Sequence, residues 1–167
     1  MVDDCYQAYE RELDYLFGVL RRLGVPSRDV EDVMHEVFLA MHQGWESYDR
    51  VRPLRPWLFG IAFRVASAQR RKGQREVLGI LPETEDPRPL PDDAAAASEL
   101  RDLLLKAMAG VPLDRRAVLL MHDLDETPMR EIAAELRIPL FTVYSRLRKA
   151  RKELDAALTR LQKRGQL

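Results

Sequence analysis

At 167 residues, 46% hydrophobic and 32% charged, the chain has the composition of globular protein and the length to bury one ordinary core or two small ones, which excludes fibrous and disordered classes. Its 27 basic and 27 acidic side chains cancel, and such a balance taken alone argues against nucleic acid. The charges are nonetheless sorted along the chain: acids gather at Asp3, Asp4, Glu10, Glu12 and Asp14, from Asp29 to Glu36 and from Glu83 to Asp93, bases from Arg64 to Arg75 and from Arg146 to Lys152, a pattern suited to one surface for nucleic acid and another for protein.

Tyr6, Tyr9, Leu13, Leu16, Phe17, Leu20 and Leu23 keep helical spacing until Gly24 and Pro26, and predict a first helix. Ser27 is placed to cap a second, with Asp29, Glu31 and Asp32 near its positive end. Val30, Val33, Val37, Met41 and Trp45 form the apolar stripe of that helix, which ends near Gly44 and leaves an acidic outer face. From Trp45 to Arg55 the sequence has no period and carries Pro53, which predicts a structured loop. Pro56 suits the first turn of a third helix. Trp57, Leu58, Ile61, Ala62, Val65 and Ala66 make its packed face, and Arg64, Arg70, Arg71 and Lys72 a basic far end.

Between Gly73 and Ser98 the composition turns to Pro82, Pro87, Pro89 and Pro91 among acids, then to an alanine run, which predicts a flexible, partly extended linker. Helical period returns with Leu100, Leu103, Leu104, Ala107 and Met108, breaks at Gly110 and Pro112, and resumes from Leu113 to Leu124. A helix, a tight turn and a basic helix then follow. Ile132, Ala133 and Leu136 share one face of the first, while Val143, Leu147 and Ala150 share one face of the second and leave Arg146, Lys149 and Arg151 outward. That is the pattern of a DNA-reading helix-turn-helix, in which one face packs and the other meets phosphates and base edges. No strand-like alternation occurs, so the expected fold is all-α: two small helical domains, 1–75 and 99–167, joined by a flexible linker over 76–98.

A single cysteine, Cys5, has no partner for a disulfide, and no paired thiol is present to hold zinc. His35 and His42 lie about two helical turns apart with no third ligand nearby, which favours solvent or interface roles over a metal, and no cofactor is expected. No nucleophile with a base, phosphate-binding glycine loop or carboxylate pair stands out, so the chain is expected not to be an enzyme. The acidic N-terminus is unlike a signal peptide, no apolar run is long enough to span a membrane, and the tail after Leu161 leaves no room for a further domain. These features point to the cytoplasm.

Asp29-Val30-Glu31-Asp32-Val33-Met34-His35-Glu36-Val37-Phe38 is similar to the D-A-E-D-L-V-Q-E-V-F of region 2 in bacterial extracytoplasmic-function (ECF) sigma factors. Pro56-Trp57-Leu58-Phe59-Gly60-Ile61-Ala62 resembles the T-W-L-Y-R-I-A that follows it there. Downstream, Glu131-Ile132-Ala133 and the run from Ile138 to Leu147 resemble E-I-A and G-I-P-x-G-T-V-K-S-R-L of region 4. The two sets stand in the family's order across a linker, and together cover nearly the whole chain.

The resemblance implies a sigma factor that binds core RNA polymerase through its beta and beta-prime subunits, recognises the minus-ten and minus-thirty-five promoter elements and aids melting. It further implies an anti-sigma factor as partner and a linker running along polymerase toward the RNA exit path. Asp32, His35 and Glu36 would meet polymerase, an acidic helix face against a basic hairpin. Tyr48 and Trp57 would hold flipped minus-ten bases, with Arg64, Arg70 and Arg71 on the backbone. Trp45 and Trp57 equally fit a core role, so Tyr48, in a loop, is the stronger base contact. Thr142, Tyr144, Ser145, Arg146, Arg148 and Lys149 would face the minus-thirty-five element, arginine and lysine toward guanine edges and serine or threonine toward phosphate.

Departures from the family pattern bear on specificity. Arg137 and Phe141 stand where glycine is usual, Tyr144 where a base is common, Arg64 where asparagine is frequent, and Ala68 where an acid or amide is frequent. A side chain at a left-handed turn costs about 1 kcal/mol, so the turn before the second helix is expected to be reshaped. Two other readings stand beside the sigma factor. A freestanding regulator needs a dimer interface, for which only Leu154, Leu158 and Leu161 offer a short face. A decoy that binds polymerase without DNA would leave the basic faces unused.

Overall fold

Apolar residues recurring at steps of three and four become helices in the computed structural model, which describes residues 2–76 and 95–164, with side chains over 4–73 and 99–164. No strand occurs among the described residues, and the chain divides into two units, Met1–Glu83 and Thr84–Leu167. The all-helical, two-domain expectation holds.

In the first unit α1 (Val2–Arg11) and α2 (Leu13–Leu23) replace the single helix expected from Tyr6 to Leu23. The break falls at Glu12, whose amide donates to the Tyr9 carbonyl at 3.0 Å while its own carbonyl accepts from Leu16 at 2.9 Å. A tertiary contact sits on this joint. The Glu12 carboxylate accepts from Arg55 Nε at 2.8 Å, and the same guanidinium lies 4.7 Å above the Tyr15 ring. α2 ends at Gly24, whose φ of 93° requires glycine; the amides of Gly24 and Val25 donate to Arg21 and Leu20 carbonyls, each at 3.0 Å, closing the helix end.

α3 (Val30–Gly44) buries Val30, Val33, Val37 and Met41 completely, against α2 and α4 (Leu54–Glu76). Ser27 does not cap it, contrary to expectation. A turn in which the Asp29 amide donates to the Pro26 carbonyl at 3.0 Å comes first, the helix begins at Val30, and the buried Ser27 Oγ has no partner. Leu58, Phe59, Ile61, Ala62 and Ala66 are the face that α4 contributes to this core. α1 is tied on by Tyr9, whose hydroxyl donates to the Met34 carbonyl at 2.8 Å and whose ring lies 5.0 Å from Phe38. Burial pushes the pKa of that phenol up.

The second unit holds α5 (Ala95–Ala109), α6 (Leu113–Leu119), α7 (Met129–Leu136) and α8 (Leu140–Lys163). The end of the alanine run expected in the linker is helical from Ala95, in keeping with alanine's low cost in a helix; the remainder of that linker, 77–94, lies outside the described residues. α6, α7 and α8 each follow a proline directly, Pro112, Pro128 and Pro139, with ψ of 143°, 142° and 147° and no side-chain cap. The ring presets φ, and each proline carbonyl accepts from an amide four residues on, at 2.8, 3.1 and 3.2 Å. α6 runs on into a π-helical turn, Leu120–Leu124, closed by the Asp125 amide on the Leu120 carbonyl at 3.0 Å. Its buried Arg116 donates to the Val111 carbonyl through Nε at 3.1 Å and Nη2 at 2.8 Å.

α8 lays Val143, Leu147, Ala150 and Ala157 against α5, α6 and α7. The turn between α7 and α8 is Arg137 to Pro139. Arg137 has φ 54° and ψ 47°, and the amides of Arg137 and Ile138 donate to Ala134 and Ala133 carbonyls at 3.3 and 3.0 Å. The expected reshaping does not occur: the turn keeps the left-handed geometry that glycine would adopt, with arginine bearing the steric cost.

Arg137→Gly should therefore stabilise the second unit by about 0.5 kcal/mol, the relief of roughly 1 kcal/mol being offset by glycine's freedom in the unfolded chain. Arg137→Val should destabilise it by about 1–2 kcal/mol, since a β-branched residue tolerates positive φ least. Urea-dependent amide exchange of α7 and α8 reads both changes.

Candidate functional site

The burial of the α3 valine stripe turns Asp32, His35 and Glu36 to solvent, at steps of three and four on one face. Leu39, one step further along, is 47% exposed on the same face. The three residues expected to meet polymerase thus share a continuous exposed strip with Leu39, whose spacing from Glu36 could have placed it there. Among the described residues no group of three His, Cys, Asp or Glu could hold a metal ion.

After α3 the chain turns through a 3-10 segment, Trp45–Ser47, into the expected loop. Tyr48 stacks on both Trp45 and Trp57: its ring is 5.6 Å from the first and 4.4 Å from the second, with interplanar angles of 23° and 25°. The Tyr48 hydroxyl donates to the Arg52 carbonyl at 2.5 Å. Arg50 lies 5.5 Å over the Trp45 ring and pairs with Asp4 at 3.3 Å. A Cβ on Gly44 would come within 3.1 Å of Trp57, so the missing side chain admits that ring. Trp45 is core, whereas Tyr48 and Trp57 are half-buried and still present aromatic surface. Tyr48 is therefore held by two neighbours and does not project from a free loop. Arg70 and Arg71 are exposed at the far end of α4, and Arg64 is half-buried nearer its middle.

In the second unit the bases of α8 divide into two sets. Arg146 pairs with Asp114 of α6 at 3.3 Å. Arg151 forks onto Asp123 of the π-helical turn, Nε to Oδ2 at 2.9 Å and Nη2 to Oδ1 at 2.6 Å. Arg115 of α6 forks in the reverse sense onto Glu153 of α8, at 2.9 and 2.7 Å. The hydrogen bond from Arg151 holds the Asp123 carboxyl below the usual carboxylate range, helped by His122 and opposed by burial.

Arg148 and Lys149 are exposed and outside these pairs; Tyr144 is 56% exposed, and Thr142 and Ser145 are half-buried beside it. The outward surface of α8 is thus Tyr144, Arg148 and Lys149, with Arg146 tied back toward α6. Phe141, 76% exposed in the first turn, joins that surface. Periodicity could not single it out, because an apolar residue beside an apolar stripe is ordinarily counted as core.

Comparison with known proteins bears on the family and the fold. Residues 8–76 match the family described as Sigma-70 region 2, and residues 101–154 match Sigma-70, region 4. The chain is 31% identical over 146 residues to the ECF RNA polymerase sigma-E factor of Escherichia coli (strain K12), covering 78% of this chain and 74% of that protein. It is 25% identical over 156 residues to the ECF RNA polymerase sigma factor SigW of Bacillus subtilis (strain 168), covering 87% and 83%. Its fold is similar to that of the sigma factor RpoE in a complex with the anti-sigma factor NepR from Bartonella quintana, with TM-score 0.76, 21% identity and 93% and 97% of the two chains covered. CnrH, solved with the cytosolic domain of CnrY, aligns with TM-score 0.67 and 24% identity over 95% and 90%.

Two expectations follow from the packing. Tyr48→Ala should lower the stability of the first unit by about 2 kcal/mol through loss of both stacking contacts, and Tyr48→Phe by about 0.5–1 kcal/mol through loss of the hydroxyl bond. Urea unfolding followed by tryptophan fluorescence measures both, because Trp45 and Trp57 lie in that unit. Asp123→Asn should cost at most about 1 kcal/mol at pH 7, the pair being partly exposed. A carboxyl with a lowered folded pKa stabilises above its unfolded value of about 3.9 and loses that contribution as pH falls through the folded value. The gap between variant and parent in urea midpoint should accordingly narrow below about pH 4.

Proposed function

The chain belongs to the ECF group of sigma-70 factors, and on that premise we propose how its surfaces divide the work of promoter-specific initiation. The observation that carries the reading is the pairing of an outward acidic strip on one unit with an outward basic recognition helix on the other. The first unit, up to about residue 75, docks on core RNA polymerase through Asp32, His35 and Glu36, whose charge complements a basic helical hairpin and steers the encounter. The half-buried faces of Tyr48 and Trp57 accept unstacked minus-ten bases, and Arg64, Arg70 and Arg71 hold the strand backbone. From about residue 99 the second unit sets α8 in the major groove of the minus-thirty-five element, with Tyr144, Arg148 and Lys149 foremost and Thr142 and Ser145 toward phosphates. Arg146 assists there once it leaves Asp114.

The segment between α4 and α5 serves as a linker that follows polymerase between the two contacts. An anti-sigma factor holds the protein inactive by covering the acidic strip; the solved complexes of RpoE with NepR and of CnrH with the cytosolic domain of CnrY support such a partner. The work is done in the cytoplasm, where polymerase and chromosome meet. Among the described residues no helix is long and apolar enough to cross a membrane.

Run-off transcription with purified core polymerase and genomic fragments should yield discrete new starts sharing two upstream elements. Reversing charge with Asp32→Lys and Glu36→Lys together should weaken core association roughly tenfold. Arg148→Ala should weaken holoenzyme binding across promoter sequences and lower the salt slope by about one. Silence in transcription combined with tight, polymerase-free DNA binding as a dimer would overturn the reading in favour of a freestanding regulator.

A further inference from the structure

The proposed major-groove surface of α8 contains a residue whose chemistry narrows what it can read. Phe141 is 76% exposed, and Tyr144 beside it 56%, whereas the core stripe of the same helix is already supplied by Val143 and Leu147. Three successive positions on one line of the helix, Phe141, Tyr144 and Arg148, run from apolar to cationic. At a rise of 1.5 Å per residue that line is about 10 Å long, enough to cover about three base pairs. In a helix-turn-helix it is the N-terminal end of the second helix that reaches base edges. Phenylalanine carries neither donor nor acceptor. In the major groove the feature it can recognise is the C5-methyl group of thymine.

We propose that Phe141, with Tyr144 packed alongside the same edge, reads thymine methyl groups in the upstream promoter element and is a specificity-determining residue of this sigma factor. The inference rests on the placement of α8 proposed above and adds to it the base that the first turn selects. Arg148, one to two turns further along, lies toward the neighbouring base pairs and their phosphates. The element is thereby expected to contain thymine at the end that meets the start of α8.

Holoenzyme assembled from core polymerase and the full chain would select promoters from unmethylated DNA randomised across the upstream element. The best sequence would then be resynthesised with deoxyuridine for thymine, which removes only the methyl group. Selected elements should carry thymine at that end, and each replacement should weaken promoter binding about three- to fivefold with the parent protein. Phe141→Ala should lose this sensitivity, and Phe141→Leu should keep part of it; circular dichroism checks that both variants fold, as expected for an exposed position.

Elements lacking thymine there, or equal deoxyuridine sensitivity in parent and Phe141→Ala, would overturn the inference while leaving the sigma reading intact. Loss of core-polymerase association in Phe141→Ala without any deoxyuridine effect would also overturn it, and assign the residue to a protein contact. A holoenzyme that starts nowhere on any template would sink both.

Discussion

The rotation of α8 about its own axis is the constraint on which the second unit depends. Val143, Leu147, Ala150 and Ala157 must face α5, α6 and α7 to leave water, and on a helix of about 3.6 residues per turn that choice decides where every other side chain goes. Phe141, Tyr144, Arg148 and Lys149 are outward because those four are inward. Three ion pairs flank the stripe: Asp114 with Arg146, Asp123 with Arg151 and Arg115 with Glu153. Each partly exposed pair adds little free energy. The forked pairs of Arg151 and Arg115 nonetheless help fix the register of α8 on α6 and the π-helical turn, and Arg146 and Arg151 are engaged with carboxylates of the same unit.

The first unit obeys the same rule with the opposite charge. Val30, Val33, Val37 and Met41 take the inner face of α3, so its acids and Leu39 have only the outer one. Around it, the Glu12–Arg55 bond and the Tyr9–Met34 bond tie the N-terminal helices to α4 and α3. The joint at Glu12 lets two short helices wrap a core that one straight helix would cross. Trp45, Tyr48 and Trp57 fill the corner between α3 and α4, so the half-exposed aromatic surface there is held by ring contacts from both elements. Acidic and basic side chains balance in the chain as a whole, so its long-range field favours neither DNA nor an acidic surface. Recognition is thereby left to local contacts, as suits a subunit that acts with polymerase.

Helical periodicity, the prolines and glycines that interrupt it, and the sorted charges were sufficient to recover the helical class and the helix-turn-helix, while the family was carried by the resemblance of the region 2 and region 4 motifs. The acidic and basic faces were legible for the same reason: repeats of three and four residues are local, and burial of one face implies exposure of the other. What sequence spacing could not supply were pairings across the chain. The break at Glu12 is tied to a residue 43 positions away, the start of α3 follows a turn built on Pro26, and Tyr48 is held by rings from two different elements. The alanine run near residue 95 reads equally as linker or helix until its neighbours are known.

Periodicity and composition thus determined which residues could be inside and which chemistry each outer face would carry, since both depend on the covalent order alone. Tertiary structure decided which charged groups spend themselves on one another and which remain for a partner. Arg146 and Arg151 look identical to Arg148 in the sequence, but only the folded unit brings carboxylates to the first two. Phe141 likewise became a surface residue only when Val143 and Leu147 had filled the groove beside it, because close packing leaves room for one apolar stripe per helix face.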